Sequence, residues 1–520
     1  MATIVLVNPK FDVSFWGMEY AMPLLGKRSV MPVAALPLLA ALVPQRHHIT
    51  IIDENVEPID FDLLARADIV GVTGMIVQRR RIREILIELR RRKIFTIVGG
   101  PWVSVNEAWF DNLADVVFIG EAEETWPQFL KDWEGGCHAR RYEQPEKTDM
   151  ALVPPPRLDL IKIDQYAFGS VQFSRGCPFT CEFCDIIVIF GRRPRLKTGQ
   201  QIIAELEALR AKNISQVFIV DDNLVGNKKA MKEVLRHVVE WQKAHDYPIM
   251  FATEASLDLA DDEEAMQLMI DANICALFVG IESPNEESLK ETKKLQNLRR
   301  GGTMIEKLHR IQEKGMEVWA GMILGFDNDD AGVFAAQRRF LTAARVPTAM
   351  IGMLSAIPKT PLYDRMKLAG RLDESENPAH GTNVLPLNMT RDELSEGFVR
   401  LMTELYEPNA YFDRLDDLYR NARISIDRAW QSHARARPWL RWRRDMLCLL
   451  QAFVLLARLA VHVPDRHLWR IYRHRFWAFL RDRPEPQVLR VYVLKCAIHW
   501  HMHKFVQQLS DRARPLVNTY

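Results

Sequence analysis

The first 135 residues alternate short apolar runs with helical stretches. The runs are four or five residues long, are rich in β-branched side chains, and fall at residues 3–7, 49–53, 69–73, 96–99 and 116–120. Continuous apolar strands between helices are typical of a parallel sheet whose two faces are both covered. The pattern therefore predicts an α/β domain with a parallel sheet over residues 1–135.

The same alternation resumes in the middle of the chain, beyond a proline-rich stretch at 153–157 that we interpret as part of a linker over residues 136–165. An amphipathic helix is predicted over 200–212. Further apolar runs fall at residues 216–220, 250–253, 276–279, 318–324 and 350–356. Together with a strand before the cysteines near residue 177, they make six β/α units. The pattern predicts a partial (β/α)6 barrel over 166–375, followed by a helical region over 376–520.

Small and polar residues follow the predicted strands in both units. Ligands of open α/β sheets bind outside the carboxyl ends of the strands, so these residues are candidates for cofactor contacts. In the N-terminal unit they are Thr73, Gly74, Met75, Gly99, Gly100, Pro101, Gly120 and Glu121. In the central unit they are Asp222, Asn223, Glu254, Glu282 and Gly325. Each has a structural alternative, because Gly-Gly-Pro forms turns and aspartate caps helices.

Three of the seven cysteines, Cys177, Cys181 and Cys184, share one loop with the spacing C-x3-C-x2-C. Thiolates hold iron–sulfur clusters, and a [4Fe-4S] cluster normally takes four of them. Three ligands would leave one iron open to a small molecule. A structural zinc site usually has four nitrogen or sulfur ligands, and a disulfide would leave one cysteine over. The scattered positions of the other cysteines suit a reducing cytosol.

The cysteine loop resembles that of radical S-adenosylmethionine (SAM) enzymes, in its spacing, in Pro178 and Phe179 after the first cysteine, and in Phe183 before the last. Placed after the N-terminal α/β unit, it resembles the B12-binding radical SAM superfamily. Four further segments are similar to a subfamily that includes the hopanoid C-2 methyltransferases, at residues 191–198, 218–223, 323–327 and 358–364. The similarity runs over about residues 1–415.

The resemblance implies that the three cysteines hold a [4Fe-4S] cluster and that the N-terminal unit is a Rossmann-like domain that binds cobalamin through the strand ends named above. No histidine occurs in residues 8–14, so no lower histidine ligand to cobalt is expected. For SAM the implied contacts are Asp222 and Asn223 near its methionine end, Glu254 and Glu282 at its ribose or amino group, and Phe183, Gly321 and Gly325 near its adenine.

The implied activity is transfer of a methyl group to an unactivated carbon of an apolar, hopanoid-type substrate. One SAM would methylate cobalamin, a second would yield the radical that removes a hydrogen atom, and a flavodoxin or ferredoxin would supply the electron. Cyclisation, oxidation or methylation of a tetrapyrrole or another natural product remains an alternative. The third hypothesis is a non-catalytic protein that senses a corrinoid or an iron–sulfur cluster.

Positive charge is concentrated at the C-terminal end. Residues 420–520 contain 20 Lys and Arg but 6 Asp and Glu, whereas the whole chain has a net charge of +2. The apolar run 447–463 is shorter than the about 20 residues that span a bilayer, and Arg458 within it would be costly at bilayer depth. Tryptophans interleaved with arginines are typical of a helix in the membrane interface. The same pattern equally fits a helical cap that packs on the barrel and leaves its arginines in solvent.

No nucleic-acid motif accompanies this charge, so we expect no nucleic-acid partner. His499, His501 and His503 are interpreted as surface residues of a basic helix. The N-terminus lacks the basic and apolar regions of a signal peptide. The expected location is the cytoplasm, with peripheral contact at the inner face of the cytoplasmic membrane through the basic tail.

Overall fold

The computed structural model describes residues 1–298, 301–375, 378, 380–511, 516 and 518. Its strands are β1 (Thr3–Asn8), β2 (His48–Asp53), β3 (Ile69–Thr73), β4 (Thr96–Gly99), β5 (Val116–Ile119), β6 (Arg141–Glu143), β7 (Gly169–Val171), β8 (Ser174–Arg175), β9 (Arg195–Leu196), β10 (Gln216–Ile219), β11 (Met250–Ala255), β12 (Ile274–Glu282), β13 (Glu317–Leu324) and β14 (Ala349–Met353).

The α-helices of the N-terminal and central parts are α1 (Met22–Leu25), α2 (Ala35–Ala41), α3 (Phe61–Leu64), α4 (Arg79–Arg91), α5 (Pro101–Val105), α6 (Thr125–Glu134), α7 (Ile186–Ile189), α8 (Gly199–Ala211), α9 (Lys228–Ala244), α10 (Glu263–Asp271), α11 (Glu286–Glu291), α12 (Met304–Lys314), α13 (Val333–Ala343) and α14 (Pro361–Leu368). Those of the C-terminal part are α15 (Arg391–Leu405), α16 (Pro408–Asp416), α17 (Arg428–His433), α18 (Pro438–His462), α19 (Arg466–Asp482) and α20 (Pro486–Leu509).

The N-terminal sheet has the strand order β2-β1-β3-β4-β5-β6, and every pair is parallel. The five predicted strands are all present. The structure differs from the prediction at β6, which pairs with β5 although it lies in the segment interpreted as a linker. Only three residues of that segment are extended, so their sequence is too short to show a strand pattern. The sheet thus continues past residue 135.

The central sheet has the order β14-β13-β12-β11-β10-β7 and is also entirely parallel, which confirms the six predicted units of the partial barrel. Side chains alternate between the two faces of each strand. The pairings Glu254 with Phe278 and Phe278 with Trp319 place these three on one face, with Phe218. The opposite face carries aliphatic residues that the helices bury completely, among them Val279.

Helices α15–α20 form the C-terminal region; position 376, its expected start, lies outside the described residues. His499 and His501 are fully buried, so the expectation that they lie on the surface was wrong. His499 Nδ1 lies 2.6 Å from the Tyr472 hydroxyl oxygen, and His501 Nε2 lies 2.9 Å from the carbonyl of Ser14. Burial lowers the pKa of His499 to about 3. Helix α20 is therefore a core helix, which its basic composition concealed.

One helix of the described part of the chain, α18, is long and apolar enough to cross a membrane by length and composition alone. It has 25 residues, so the expectation that the apolar run is too short to span was wrong on length. The helix extends past the apolar run at its N-terminal end. Its packing shows a different use, since Cys448, Ala452 and Leu459 on one side are buried in the protein.

A buried ion pair joins α20 to the barrel. Lys495 donates to Glu317 of β13, whose carboxylate also accepts from the Tyr419 hydroxyl. The side chains of the pair are 3% and 4% exposed. Because the two charges compensate each other away from water, removal of one leaves the other buried without its counter-charge.

We predict that Lys495→Met lowers the free energy of unfolding by roughly 3–5 kcal/mol, because it leaves Glu317 uncompensated. Urea unfolding followed by circular dichroism measures the change. The double variant Glu317→Gln with Lys495→Met should recover most of the loss, since neither charge remains. Lys290→Met, in an exposed pair with Glu287, is the control. A Lys495→Met variant as stable as this control would contradict the account.

Candidate active site

The cysteine loop is held open by backbone contacts at its base. It lies between β8 and β9, and the Cys177 amide donates to the Gly191 carbonyl at 3.2 Å. Gly176 has φ 96°, and a Cβ there would come within 3.0 Å of the Arg193 and Gly191 carbonyl oxygens. Only glycine fits this close approach without strain. The sequence Gly-Cys therefore sets the direction in which the loop leaves β8.

The donor chemistry of the loop suits an anionic iron–sulfur cluster. Burial raises the pKa of Cys177 and Cys184, so these thiols are protonated until a metal displaces the protons. No three histidine, cysteine or acidic side chains of the described residues form a ready-made metal-binding group, and assembly would have to draw the thiols together. Amide donors already face two sulfurs, Asn223 Nδ2 at 3.8 Å from Cys177 Sγ and Gln296 Nε2 at 3.4 Å from Cys181 Sγ.

A buried cation accompanies the cysteines. Lys294 donates to Glu282 at 2.7 Å. Burial opposes its charge, but the carboxylate of Glu282 and the cysteine sulfurs outweigh it and raise the pKa of Lys294. Its ammonium also lies 6.0 Å from the ring centre of Phe183. This positive charge beside the loop would offset the negative charge of a bound cluster, and Gln296 and Lys294 were not predicted because no local motif marks them.

The expected SAM residues gather around the carboxyl ends of β10–β13. Asp222 accepts from the Gly176 amide at 2.6 Å, so part of its carboxylate fixes the cysteine loop. Asn223 pairs with Ser256, whose amide donates to Asn223 Oδ1 at 3.1 Å. Glu282 has φ 66° at a register shift between β12 and β13. A non-glycine residue in this conformation is strained, and such strain is concentrated at functional sites.

The remaining candidates differ in their surroundings. Phe183 is buried beside Phe326 at a ring distance of 6.4 Å. A Cβ on Gly321 would lie 2.9 Å from the Phe278 ring, so a side chain there is excluded by protein atoms. Gly325 has φ 94°, and a Cβ there would lie 2.9 Å from the Leu394 side chain. Glycine is therefore required for the turn that follows β13. The contacts of these residues with SAM stay predictions.

All eight residues expected to bind cobalamin line one cavity at the carboxyl ends of the N-terminal strands. The cavity also has walls that the sequence did not indicate, from α2, from Trp126 and Phe118, and from Gln172 and Arg175 of the central part. Two observations suit a large polar ligand there. The Asn8 Nδ2 is buried without a hydrogen-bond partner among the described residues, and a Cβ on Gly120, with φ 74°, would meet open space.

Glu121, which lines the cavity, has a carboxylate that is bound by other parts of the protein. Its side chain is 1% exposed and lies 2.9 Å from Arg175 Nη1 and 3.0 Å from Arg195 Nη1, and it accepts from the Thr148 amide at 3.0 Å. Arg175 also pairs with Glu123 at 2.6 Å. These contacts leave the Glu121 carboxylate committed to the protein. We name the ion pairs of Arg175 with Glu121 and Glu123, and of Arg195 with Glu121, the arginine latch, since they join the antiparallel β8–β9 pair to the end of β5 beside the cavity.

Glu254 carries an unpaired carboxylate on the inner face of the barrel, with no hydrogen-bond partner among the described residues. Burial, then Asp222 and Asp221, raises the pKa of Glu254 to about 8. Burial also raises the pKa of Asp221 to about 7 and of Asp222 to about 6. A cationic ligand would favour the ionised forms of these three acids, so this point of the barrel suits the sulfonium and ammonium of SAM.

Glu254 predicts how stability depends on pH without SAM. Its ordinary pKa of 4.5 rises to about 8 on folding, so between these values the folded protein keeps a proton that the unfolded chain releases. Stability therefore falls as pH rises through this window. We expect a flatter profile for Glu254→Gln in unfolding measurements from pH 5.5 to 8, roughly 2.5 pH units within the window. Glu240→Gln, on an exposed surface, should track the unmodified protein. If Glu254→Gln and Glu240→Gln showed the same dependence of stability on pH, the raised pKa of Glu254 would be refuted.

Comparison with known proteins supports this geometry. Family models match a B12 binding domain over residues 28–130, the radical SAM superfamily over 171–335 and a domain of unknown function over 360–514. The chain is 36% identical over 508 residues to an uncharacterized methyltransferase (sll1242) of Synechocystis sp., covering 96% of this chain and 91% of the relative. It is 35% identical over 421 residues to the hopanoid C-2 methylase of Rhodopseudomonas palustris, covering 79% and 78%.

Among solved structures, the fold is similar to that of the cobalamin-dependent SAM radical enzyme OxsB with aqua-cobalamin and SAM bound, at a TM-score of 0.61 and 16% identity over 98% of this chain and 80% of that one. The cofactors are thus a [4Fe-4S] cluster, SAM and cobalamin. The chain belongs to the B12-binding radical SAM family of methyltransferases that includes the hopanoid C-2 methylase.

Proposed function

We propose that the protein is a C-methyltransferase for an unactivated carbon of an apolar, hopanoid-type lipid. The observation that supports this proposal best is the position of Arg175. It lines the cavity of the N-terminal strand ends and stands two residues before the first cysteine of the loop. One substrate carbon placed between the two units would therefore be near both cofactors.

When bound, the cluster and SAM would supply a radical that removes a hydrogen atom, and cobalamin would supply the methyl group. We assign the cluster to Cys177, Cys181 and Cys184. Asn223 and Gln296 would donate hydrogen bonds to its sulfur ligands, which lowers the energy of the added electron. The electron would come from a flavodoxin or ferredoxin.

We assign SAM binding to the polar strand ends of the barrel. Glu254, protonated without ligand, would ionise when SAM binds, because the positive charge of SAM favours the carboxylate. Glu282 would be held in place at the end of β12 by Lys294. Phe183, buried at the same end, would offer an apolar surface to the adenine. Asp222 would act through its hold on Gly176, which orients the cysteine loop.

The inner face of the barrel supports an apolar substrate. Phe218 and Phe278 on this face are covered by Trp16, whose ring centre lies 6.2 Å from Phe218 and 4.9 Å from Phe278. Such a dry, aromatic lining suits a hydrocarbon and protects a carbon radical from water. A relative 35% identical to this chain is a hopanoid C-2 methylase. We therefore propose a substrate of the same class for this protein.

An apolar lipid resides in a membrane. We therefore propose a cytoplasmic enzyme that reaches its substrate at the inner face of the cytoplasmic membrane. The second candidate substrate is a tetrapyrrole, which the same aromatic lining would accept. The two are separated by which compound gains a methyl group.

The test is expression in a hopanoid-producing, non-methylating host supplied with cobalamin, with SAM carrying a labelled methyl group. We expect hopanoids heavier by one methylene that carry the label, because the methyl group that cobalamin would supply to the substrate would originate from SAM. Mass spectrometry of extracted lipids measures the product. Cys177→Ala should abolish it, whereas Cys137→Ala, an exposed cysteine outside the loop, should retain it.

Unlabelled, unshifted hopanoids from protein that carries both cofactors would contradict the hopanoid assignment. Label in a tetrapyrrole fraction would then favour the second candidate. Product formation that survives Cys177→Ala would contradict the radical chemistry itself.

A further inference from the structure

Helix α18 has two faces of different character. One face packs into the protein, where Cys448, Ala452 and Leu459 are fully or almost fully buried. On this side the helix runs along α20 and touches α1, and the Arg458 guanidinium donates to the Leu24 carbonyl at 3.0 Å. This face holds the helix parallel to the protein surface. A helix anchored along its length in this way is not placed to cross a bilayer.

The other face is apolar and exposed, and we name it the α18 stripe. Its side chains are 42–80% exposed and are Trp439, Trp442, Met446, Leu447, Leu450, Phe453, Val454 and Val461. At 3.6 residues per turn they all fall within an arc of about 140°. A contiguous exposed apolar surface on a protein marks a binding site. The stripe is therefore a surface built for a partner and not a set of isolated exposed residues.

Arginines surround the α18 stripe, and one of them, Arg443, lies within its arc near the N-terminal end. Exposed arginines near its N-terminal end are Arg435, Arg437, Arg441 and Arg443, and those on the outer face of α19 are Arg466, Arg470, Arg473 and Arg481. The two helices meet at Phe453 and Phe476, whose ring centres are 5.6 Å apart. Beside this contact, Trp477 of α19 is 54% exposed and extends the apolar surface among the arginines.

We propose that the α18 stripe docks on an anionic lipid bilayer, with α18 lying in the interface and the arginines contacting the lipid headgroups. Tryptophan and arginine at the edge of an apolar surface are typical of this position. Charge favours lipid over a second copy of this chain, because pairing two such surfaces would bring their arginines together. Anionic headgroups instead complement them.

Docking would bring the bilayer close to the barrel. The Leu24 carbonyl that Arg458 contacts belongs to α1, which follows directly on the segment that carries Trp16. That segment reaches the aromatic lining of the barrel through Trp16 and Phe278. The biological reason for docking rests on the proposed lipid substrate. Binding to lipid can nevertheless be measured without any methylation.

The test is flotation of the full chain, loaded with its cofactors, with vesicles of phosphatidylcholine alone or with about one third phosphatidylglycerol. The protein should float with the anionic vesicles, and less as salt increases. The double variant Leu450→Glu with Val461→Glu should bind at least tenfold more weakly. Leu368→Glu, at a 92% exposed leucine outside the stripe, is the matched control and should bind normally. Arg470→Gln with Arg473→Gln should reduce the preference for anionic vesicles.

Equal flotation of the stripe variant and the Leu368→Glu control would overturn the proposal. So would a lipid-free dimer in sedimentation that the stripe variant abolishes, since the occupant would then be a second copy. Formation of 5′-deoxyadenosine from SAM should be unchanged in the stripe variant. This readout separates the two proposals, because a wrong substrate assignment would leave flotation intact.

Discussion

Arg175 joins the short antiparallel pair β8–β9, which carries the cysteine loop, to the carboxyl end of β5 in the N-terminal sheet. Its guanidinium pairs with Glu121 and Glu123 just after β5, and Arg195 also pairs with Glu121. These charges are buried, so each depends on the others for compensation. Because the cysteine loop begins directly after Arg175, the arginine latch fixes the loop relative to the cavity at the N-terminal strand ends. In the proposed mechanism, the placement of one substrate carbon near both cofactors would depend on this ionic contact.

The regular parts of the fold follow from the sequence because their causes are local. Parallel strands buried on both faces are continuous apolar runs, and their polar ends lie at one edge of the sheet. The eight expected cobalamin residues therefore line one cavity. The spacing of Cys177, Cys181 and Cys184 carries the cluster chemistry for the same reason, since one loop contains all three.

Contacts between distant segments could not be read from the pattern. Glu121 follows the end of a strand and so is expected to face a ligand. Its carboxylate instead accepts hydrogen bonds from arginines 54 and 74 residues away in the sequence. Asp222 is bound to the loop amide of Gly176, and the buried state of His499 depends on partners in α16 and α19. Strand β6 has three residues, too few to show the alternation of apolar and polar side chains that indicates a strand. In each of these places tertiary partners decide the role of a residue.

The most direct test is the ratio of labelled methylated product to 5′-deoxyadenosine in anaerobic reactions with reconstituted protein. Glu121→Gln weakens the arginine latch without touching the cysteines. With iron and cobalamin contents equal to those of the unmodified protein, the account predicts that 5′-deoxyadenosine still forms while the ratio falls severalfold, because the two cofactors no longer face one substrate carbon. An unchanged ratio in this variant would contradict the central role of the latch.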